Sequence, residues 1–417
     1  MTYFSRILPI TILSLTWLGL ASVIALPVSV VHAAETATSS KSIIPNDPYW
    51  DRQWYLRQMG LPEAWTVTTG TSAVTVAVID TRIDIEHPDL KENIWRNLKE
   101  VPGDGLDNDR DGYIDNVNGW NFVNNSPNVQ PFAVRHQSME AWSHGTLVAS
   151  LIGARGQNNT GIAGVNWNVK IMPLVVLDAE GEGSLEGLLE AIRYAVNHGA
   201  SIINLSLAGF DYDEQLDQLL RRVAQANVLV VSATGNDTKT KQGLDIEKTP
   251  VYPACMDGSI NAVLGVSGTD TLDQKAPYAN HGKRCTDVAA PALEIFGARP
   301  TLQYDEDDRP EHPGYLEGMT GTSLAAPLVS GVASLIKSIQ PTWTAQQILK
   351  RIMETADAVD GSSPSVLGRL GAGRINAARA LNGLGPVIKP AIAPQTATST
   401  KAIIKKKAVK KATTFKR

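Results

Sequence analysis

Apolar runs and helical periodicity alternate along most of the chain. Four aliphatic runs have the length of buried strands and cover residues 74–79, 170–177, 201–207 and 228–233. Between them, apolar positions at helical spacing predict helices over 185–198, where Gly199 follows as a stop, and around 216–226. Strands that alternate with helices are typical of a parallel sheet covered on both faces. The pattern therefore predicts an α/β fold with a mainly parallel central sheet.

The N-terminus has the pattern of an export signal. Arg6 precedes a long apolar stretch, and Val31-His32-Ala33 supplies small residues at the usual cleavage positions. Residues 1–33 are therefore predicted to be a signal peptide that is removed after Ala33. Because the stretch approaches transmembrane length, an uncleaved membrane anchor is the alternative. Residues 34–45 lack hydrophobic periodicity and are expected to be disordered.

Composition separates a large body from a basic tail. Residues 46–382 form one predicted domain, and residues 383–417 are rich in Pro, Ala, Thr and Lys, which is typical of a flexible tail. The formal net charge is −4, but residues 401–417 carry eight basic residues and no acid, so the remainder is more acidic. An acidic body does not indicate binding to nucleic acid. The tail is expected either to be a solubilising end or to contact an anionic cell surface.

Three short motifs carry the residue types of nucleophilic catalysis. Ser323 lies in Gly-Thr-Ser-Leu-Ala-Ala-Pro, His144 in Ser-His-Gly-Thr, and Asp80 at the end of the first predicted strand. A serine hydroxyl is a weak nucleophile until a base takes its proton, and the imidazole needs a carboxylate that fixes its tautomer. We expect His144 and Ser323 each to begin a helix, because residues 145–152 and 323–339 are small-residue and apolar runs that suit buried helices. A nucleophile at a helix start has backbone N–H groups near developing negative charge.

The order Asp, His, Ser and the residues around each resemble the subtilisin-like serine proteases, from about Asn46 to Asn382. The resemblance implies that family's three-layer sandwich and an oxyanion stabilised by Asn236, for which a turn residue after Gly235 is the alternative. It also implies two strands that pair with an extended peptide substrate, of which the first, within 181–184, has an ordinary loop as its alternative. The substrate-binding residues would be Gly183, Ser184, Ser206, Leu207 and Ala208.

Four positions depart from the pattern of that family. Arg82 stands where the family usually has glycine, and a long cation beside the orienting carboxylate is expected to crowd the histidine. Ala208 replaces a more common glycine and is expected to narrow the specificity pocket. Leu147 and Ser150 replace a histidine and a glycine that are common after the catalytic histidine. None of these changes removes a catalytic atom.

An acidic segment supplies the second candidate chemistry. Asp107, Asp109 and Asp111 alternate before Gly112, as in a calcium loop whose glycine permits a sharp turn, and Asp115 follows at a plausible ligand position. Such close carboxylates repel one another without a cation. The twelfth position of the loop is not glutamate, so this is not a complete EF-hand. The segment predicts a Ca²⁺ site, with a solvated acidic turn as the alternative.

The chain contains two cysteines, Cys255 and Cys285. In an exported chain an even number of cysteines permits a disulfide, and two buried free thiols are the alternative. The sequence alone does not give their separation in space. Export favours the disulfide.

The sequence thus predicts an exported serine endopeptidase that acts on protein or peptide substrates as a monomer. Ser323 would be the nucleophile, His144 the general base and then acid, and Asp80 the residue that orients His144. The resemblance implies no organic cofactor. A catalytically impaired relative that binds peptides, with Arg82 as the cause, is the alternative.

Overall fold

The computed structural model describes residues 41–131, 139–237, 239–256, 262–301, 313–384 and 414–415. The predicted signal peptide, residues 1–33, lies outside the described residues, as does most of the predicted tail.

Strands in the described residues form one large sheet and two small ones. In chain order the strands are β1 (Thr75–Asp80), β2 (Trp120–Asn121), β3 (Lys170–Val175), β4 (Gly183–Ser184), β5 (Ile202–Leu205), β6 (Leu229–Ala233), β7 (Val263–Thr269), β8 (Val288–Pro291), β9 (Ile295–Ala298), β10 (Tyr315–Met319) and β11 (Thr414–Phe415). The large sheet has the order β2-β3-β1-β5-β6-β7-β8, and all its neighbouring strands are parallel. The pairs β9–β10 and β4–β11 are antiparallel. The predicted parallel sheet is confirmed.

Helices cover both faces of the sheet. They are α1 (Trp54–Gln58), α2 (Leu61–Ala64), α3 (Met139–Gly153), α4 (Leu185–Asn197), α5 (Glu214–Gln225), α6 (Thr322–Ile339), α7 (Ala345–Glu354) and α8 (Ala377–Leu381). Because successive strand residues point to opposite faces, Val76 and Val78 pack in the cluster of α3, α6 and α7, whereas Ala77 and Ile79 pack in that of α4 and α5. The sheet is therefore the middle of three layers, which confirms the predicted fold class.

One helix boundary differs from the prediction in a way that bears on the site. We expected His144 to begin a helix, but α3 begins at Met139, so His144 lies inside it. Methionine, glutamate and alanine at 139–141 have high helix propensity and extend the helix toward its N-terminus. The prediction for Ser323 is close, because α6 begins at Thr322 and Ser323 is its second residue.

Helix α6 is long and apolar enough to cross a membrane, by length and composition alone. Nearly all of α6 is buried, and Leu328, Val329 and Val332 pack in the cluster beneath the sheet. Its apolar composition is therefore that of a core helix, which holds Ser323 at one end.

Ordered contacts begin earlier and end later than the predicted domain bounds. Ile43 lies in the segment expected to be disordered, yet its N–H donates to the Pro62 carbonyl and its side chain packs against the core. Leu384 packs against the same core. Within the predicted flexible tail, β11 pairs with β4. The apolar side chains of Ile43 and Leu384 bury area against the core, which holds these two positions at the edges of the body.

The two cysteines are joined. Cys255 and Cys285 form a disulfide, as the sequence predicts for an exported chain. Cys285 is buried beside Ile246 and Val251. The bond links the segment after β6 to the residues that lead into β8.

Candidate active site

The Asp80 carboxylate and the His144 imidazole form a buried pair. Asp80 ends β1 at the carboxyl edge of the sheet, where open α/β folds place ligands. His144 Nδ1 lies 2.7 Å from Asp80 Oδ1, and the His144 side chain is 8% exposed while that of Asp80 is fully buried. Asp80 Oδ1 also accepts from the Thr81 N–H at 2.7 Å. The second ring nitrogen, Nε2, has no hydrogen-bond partner in the described part of the chain.

A close approach between β1 and α3 fixes the position of the imidazole. The Gly145 N–H donates to Thr81 Oγ1 at 2.9 Å. A Cβ on residue 145 would lie 2.5 Å from the Thr81 carbonyl oxygen and 2.6 Å from that of Arg82. Glycine is therefore required here, because any side chain would push α3 and His144 away from Asp80.

Ser323 and Asn236 face the same small space beside Gly321. Asn236 Oδ1 accepts from the Thr322 N–H at 3.0 Å, so the amide oxygen is fixed and Nδ2 is the end that can donate elsewhere. A Cβ on Gly321 would lie 3.0 Å from Ser323 Oγ and 3.5 Å from Asn236 Nδ2. A hydroxyl and an amide donor therefore meet next to a position that only glycine leaves open.

A buried polar chain anchors the start of α6 to β5. The Ser206 hydroxyl donates to the Ser323 carbonyl at 2.7 Å and accepts from Asn204 Nδ2 at 2.9 Å. Asn204 Oδ1 in turn accepts from the Ser330 hydroxyl at 2.8 Å. Each buried polar group therefore has a partner, which holds Ser323 against the strand.

A groove of about 740 Å³ joins these groups, and is called the active-site groove below. His144, Ser323 and Asn236 line it together with residues that precede β4 and with the end of β10. Its lining residues outside the three are Leu147, Glu180, Gly181, Glu182, Lys241, Tyr278, Gly318, Met319, Thr320 and Leu324. The groove is partly open to solvent, and its volume lies within the range of ligand-binding clefts.

The predicted substrate-binding residues lie at two places beside this groove. Gly183 and Ser184 form β4, directly after the lining residues Gly181 and Glu182. Ser206, Leu207 and Ala208 follow β5. A Cβ on Gly235 would lie 3.3 Å from the Ala208 Cβ, so Ala208 stands close to the backbone that leads to Asn236.

The departures from the family pattern have structural roles of their own. Arg82 was expected to crowd the histidine, but its guanidinium donates to the carbonyls of Asn128 and Gln130, at 2.9 and 3.0 Å. Ser150 donates to the Leu147 carbonyl at 2.7 Å and accepts from the Ala298 N–H at 3.0 Å. The cation is thus directed to a neighbouring loop, and the serine attaches α3 to β9.

The acidic segment divides the four predicted metal ligands. Asp107 and Asp109 each bring an oxygen to within 4.8 Å of the other and of Glu100, a residue that the sequence analysis missed. The Asp115 oxygens instead accept from the N–H groups of Gly103 and Gly105. Backbone N–H groups also reach both oxygens of Asp107 and both oxygens of Glu100. These contacts do not exclude a ligand, so the role of Asp115 stays a prediction.

Asp111 belongs to a different close group, which shares only Asp109 with the group of Asp107 and Glu100. Its Oδ2 lies 2.8 Å from His198 Nε2, and the three residues Asp109, Asp111 and His198 form a second close group. Burial opposes ionisation of Asp111, but hydrogen bonds from His198 and Tyr113 outweigh it and lower the pKa of this carboxyl. His198 follows α4, far along the chain, so no local spacing pointed to it.

Comparison with known proteins identifies the family of this chain. The family profile described as Subtilase family matches residues 71–373. Thermitase of Thermoactinomyces vulgaris is 31% identical over 338 residues, which cover 81% of this chain and 99% of that protein. Subtilisin-like protease 1 of Plasmodium berghei is 29% identical over 76% of this chain, which spans 51% of that protein. A thermophilic serine proteinase of Bacillus sp. AK1 is 31% identical over 76% of this chain and 65% of its own length.

A solved structure of a protease from Pseudoalteromonas arctica PAMC 21717 superposes with a TM-score of 0.62 and 26% identity. The match covers 82% of this chain and 100% of that one. The profile match extends over most of the chain and includes the segments that contain Asp80, His144 and Ser323. The chain belongs to the subtilase family and is a serine-type endopeptidase.

Proposed function

We propose that Ser323, His144 and Asp80 act as the catalytic triad of this endopeptidase. The observation that carries the proposal is the 2.7 Å contact between His144 Nδ1 and Asp80 Oδ1, at the wall of a groove that Ser323 also lines. Because Nδ1–H donates to the carboxylate, Nε2 is the nitrogen that can accept a proton. Its lack of a partner in the described residues leaves it available for the serine hydroxyl.

The reaction follows from these roles. The Ser323 oxygen attacks the carbonyl carbon of the scissile peptide bond while His144 Nε2 takes its proton. The protonated imidazole then gives that proton to the leaving amine as the C–N bond breaks, and an acyl-enzyme ester remains on Ser323. A water molecule, deprotonated by His144, hydrolyses the ester. Asp80 stays ionised throughout and stabilises the imidazolium.

Asn236 would stabilise the oxyanion together with the Ser323 N–H. The contact from the Thr322 N–H to Asn236 Oδ1 supports this, because it leaves Nδ2 toward the space beside Ser323 Oγ. Ser323 is the second residue of α6, and first-turn N–H groups lack acceptors within the helix. Two donors and the positive end of the helix dipole then meet the charge that develops on the carbonyl oxygen.

Covalent labelling tests the assignment of the nucleophile. A fluorophosphonate reacts with a serine only when a neighbouring base activates it, so we expect one adduct per folded chain, located at Ser323 by peptide mass spectrometry. Protein denatured before labelling is the control and is expected to remain unmodified. An intact folded chain that takes no label would support the impaired, peptide-binding alternative instead. Arg82 gives that alternative little support, since its guanidinium binds Asn128 and Gln130.

We further propose that Asp107, Asp109 and Glu100 hold a Ca²⁺ ion. The fit rests on three carboxylates within 4.8 Å and on Asp109 Oδ1, which is buried without a hydrogen-bond partner in the described residues. Ca²⁺ prefers carboxylate and carbonyl oxygens, which these side chains supply. The ion would neutralise their mutual repulsion and stabilise the loop, and it takes no part in the hydrolysis.

Protein stripped of metal is expected to have a lower melting temperature than the same protein loaded with calcium. Binding to the native state alone stabilises it by about 2.7 kcal/mol when free calcium is a hundredfold above its dissociation constant. Asp109→Asn is expected to abolish the difference. Asp104→Asn removes the same charge from the same loop outside both close groups and is expected to keep it. Identical melting curves for wild-type protein with and without calcium would show a solvated acidic turn.

Export completes the proposal. Arg6, the apolar stretch and Val31-His32-Ala33 support a signal peptide over residues 1–33, which lie outside the described residues. The disulfide Cys255–Cys285 is consistent with an oxidising compartment. In this proposal a monomeric enzyme cleaves protein or peptide substrates outside the cytoplasm.

A further inference from the structure

The strand β4 directly follows residues that line the active-site groove, and it pairs with β11 near the C-terminus. Gly183 forms an antiparallel bridge with Leu177 and also lies opposite Phe415 of β11. A strand residue has only two edges, so Leu177 and Phe415 lie on opposite edges of β4. Thr414 lies opposite Ser184 in the same register. The C-terminus thus occupies the edge of β4 that its own chain neighbours leave exposed.

The residues of β4, Gly183 and Ser184, are among those predicted above to bind substrate. Gly181 and Glu182, directly before β4, line the active-site groove with His144 and Ser323. An exposed strand edge presents unpaired N–H and C=O groups, and extended peptides bind such edges by adding a strand. A peptide substrate and β11 would therefore use the same backbone groups.

Opposite charges favour the docked tail. Residues 171–192 contain five acidic residues and no Lys or Arg, whereas residues 401–417 contain eight basic residues and no acid. Glu180 and Glu186, on either side of β4, are exposed. Complementary charge increases the rate and specificity of association, and salt screens it.

The tail is long enough to reach the groove of its own molecule. Twenty-nine residues lie between Leu384, where the described body ends, and Thr414. A chain of that length extends to roughly 100 Å at most. A body of this size has a radius of gyration of about 20 Å, so the tail can pass over its surface without tension.

We propose that the C-terminal segment of this chain binds β4 as an added antiparallel strand and competes with substrate for that side of the groove. The proposal rests on the proposed function, because competition requires that the groove bind substrate. The strand needs little affinity of its own, since covalent linkage to the body gives an effective concentration on the order of 1 mM. The enzyme thus carries a weak competitive inhibitor of its own activity.

Kinetics of the full chain test the competition. Replacement of Thr414 and Phe415 by proline removes both backbone N–H groups and keeps the length and charge of the tail. For an uncharged peptide substrate we expect the apparent KM to fall roughly two- to tenfold with kcat unchanged, given an effective concentration near a typical weak Kd. Replacement of the same two residues by alanine keeps both donors and is the matched control, with KM expected near wild type. High salt is expected to lower the wild-type KM toward that of the proline variant.

A binding measurement separates this proposal from the proposed function. The full chain with Ser323→Ala and both proline substitutions should bind a fluorescent peptide of residues 401–417, and unlabelled peptide substrate should displace it. If no version of the enzyme hydrolyses peptides, the proposed function fails. The binding measurement still shows whether the C-terminal segment binds the groove, because it does not depend on hydrolysis. Absence of peptide binding would overturn the proposal. It would also be overturned if all variants had the same KM and the wild-type protein bound anionic lipid vesicles, because the tail would then bind a membrane surface instead of β4. Inhibition that increases with protein concentration would also overturn it, because the tail would then come from a second copy.

Discussion

Ser323→Ala is expected to abolish peptide hydrolysis while the fold remains intact. In subtilisin, loss of the catalytic serine lowers kcat by about 2 × 10⁶-fold, and we expect a loss of that order here. The substitution removes the only atom that can form the acyl-enzyme ester. The remaining contacts in the groove, which include Asn236 and the N–H groups of α6, still bind substrate, so KM is expected to change little.

The fold should survive because Ser323 Oγ lies in the groove rather than in the core. The Ser323 carbonyl keeps its bond from Ser206, and the helix start keeps its contact with Asn236. The melting temperature is therefore expected to stay within about 2 °C of wild type, as for other substitutions outside the core. Ser362→Ala, at an exposed serine, is the matched control and should keep full activity. Hydrolysis by Ser323→Ala at the wild-type rate would refute the assignment of the nucleophile.

The sequence was sufficient to predict the sheet because its strands are buried on both faces. Strands that are buried on both faces appear in the sequence as nearly continuous aliphatic runs, such as 170–177. Strand β3 lies within that run. Two of the four predicted strands, 170–177 and 201–207, extend two residues beyond the observed ends of β3 and β5. The residues after each strand, such as Val176 and Leu177, are also buried, so hydrophobicity alone does not show where pairing stops.

The approach of Asp80 to His144 depends on contacts that are distant in sequence. Sequence order and motif indicated which residues take part, but the Thr81–Gly145 hydrogen bond that holds the two elements together joins residues 64 positions apart. The polar chain from Ser330 through Asn204 to Ser206 had no sequence signal, because serine and asparagine are ordinary residues outside a known fold. Glu100 and His198 were missed for the same reason, since the alternating aspartates are a local pattern and these two are not.

The tail shows the opposite limit. Its composition predicted flexibility, and a basic cluster without acids predicted either a solubilising end or contact with an anionic cell surface. Two residues that pair with β4 are too short a segment for any periodicity to appear. The pairing is known only from the structure. Its relation to substrate binding follows because Gly181 and Glu182, just before Gly183, line the active-site groove.

Asp80→Asn is expected to lower kcat by about 10⁴-fold, because the carboxylate both orients the imidazole and stabilises its charged form. Asp80 Oδ1 already accepts from the Thr81 N–H and from His144 Nδ1, so the asparagine oxygen can keep these contacts. In that orientation the charge is lost, and the imidazolium forms without a counter-ion in a site that water barely reaches. In the opposite orientation the amide N–H groups face two donors, which forces the wrong tautomer on His144.

The measurement compares kcat, KM and melting temperature for Asp80→Asn and for Asp211→Asn, a matched substitution at an exposed aspartate. We expect KM near wild type in both, because substrate contacts the groove and not the buried carboxylate. The melting temperature of Asp80→Asn should change little, since asparagine has the shape of aspartate and Asp80 Oδ2 has no partner to lose in the described residues. A kcat that stays within tenfold of wild type would show that Asp80 only supports the strand end. A loss confined to kcat, with Asp211→Asn unaffected, identifies Asp80 as the residue through which His144 becomes an effective base.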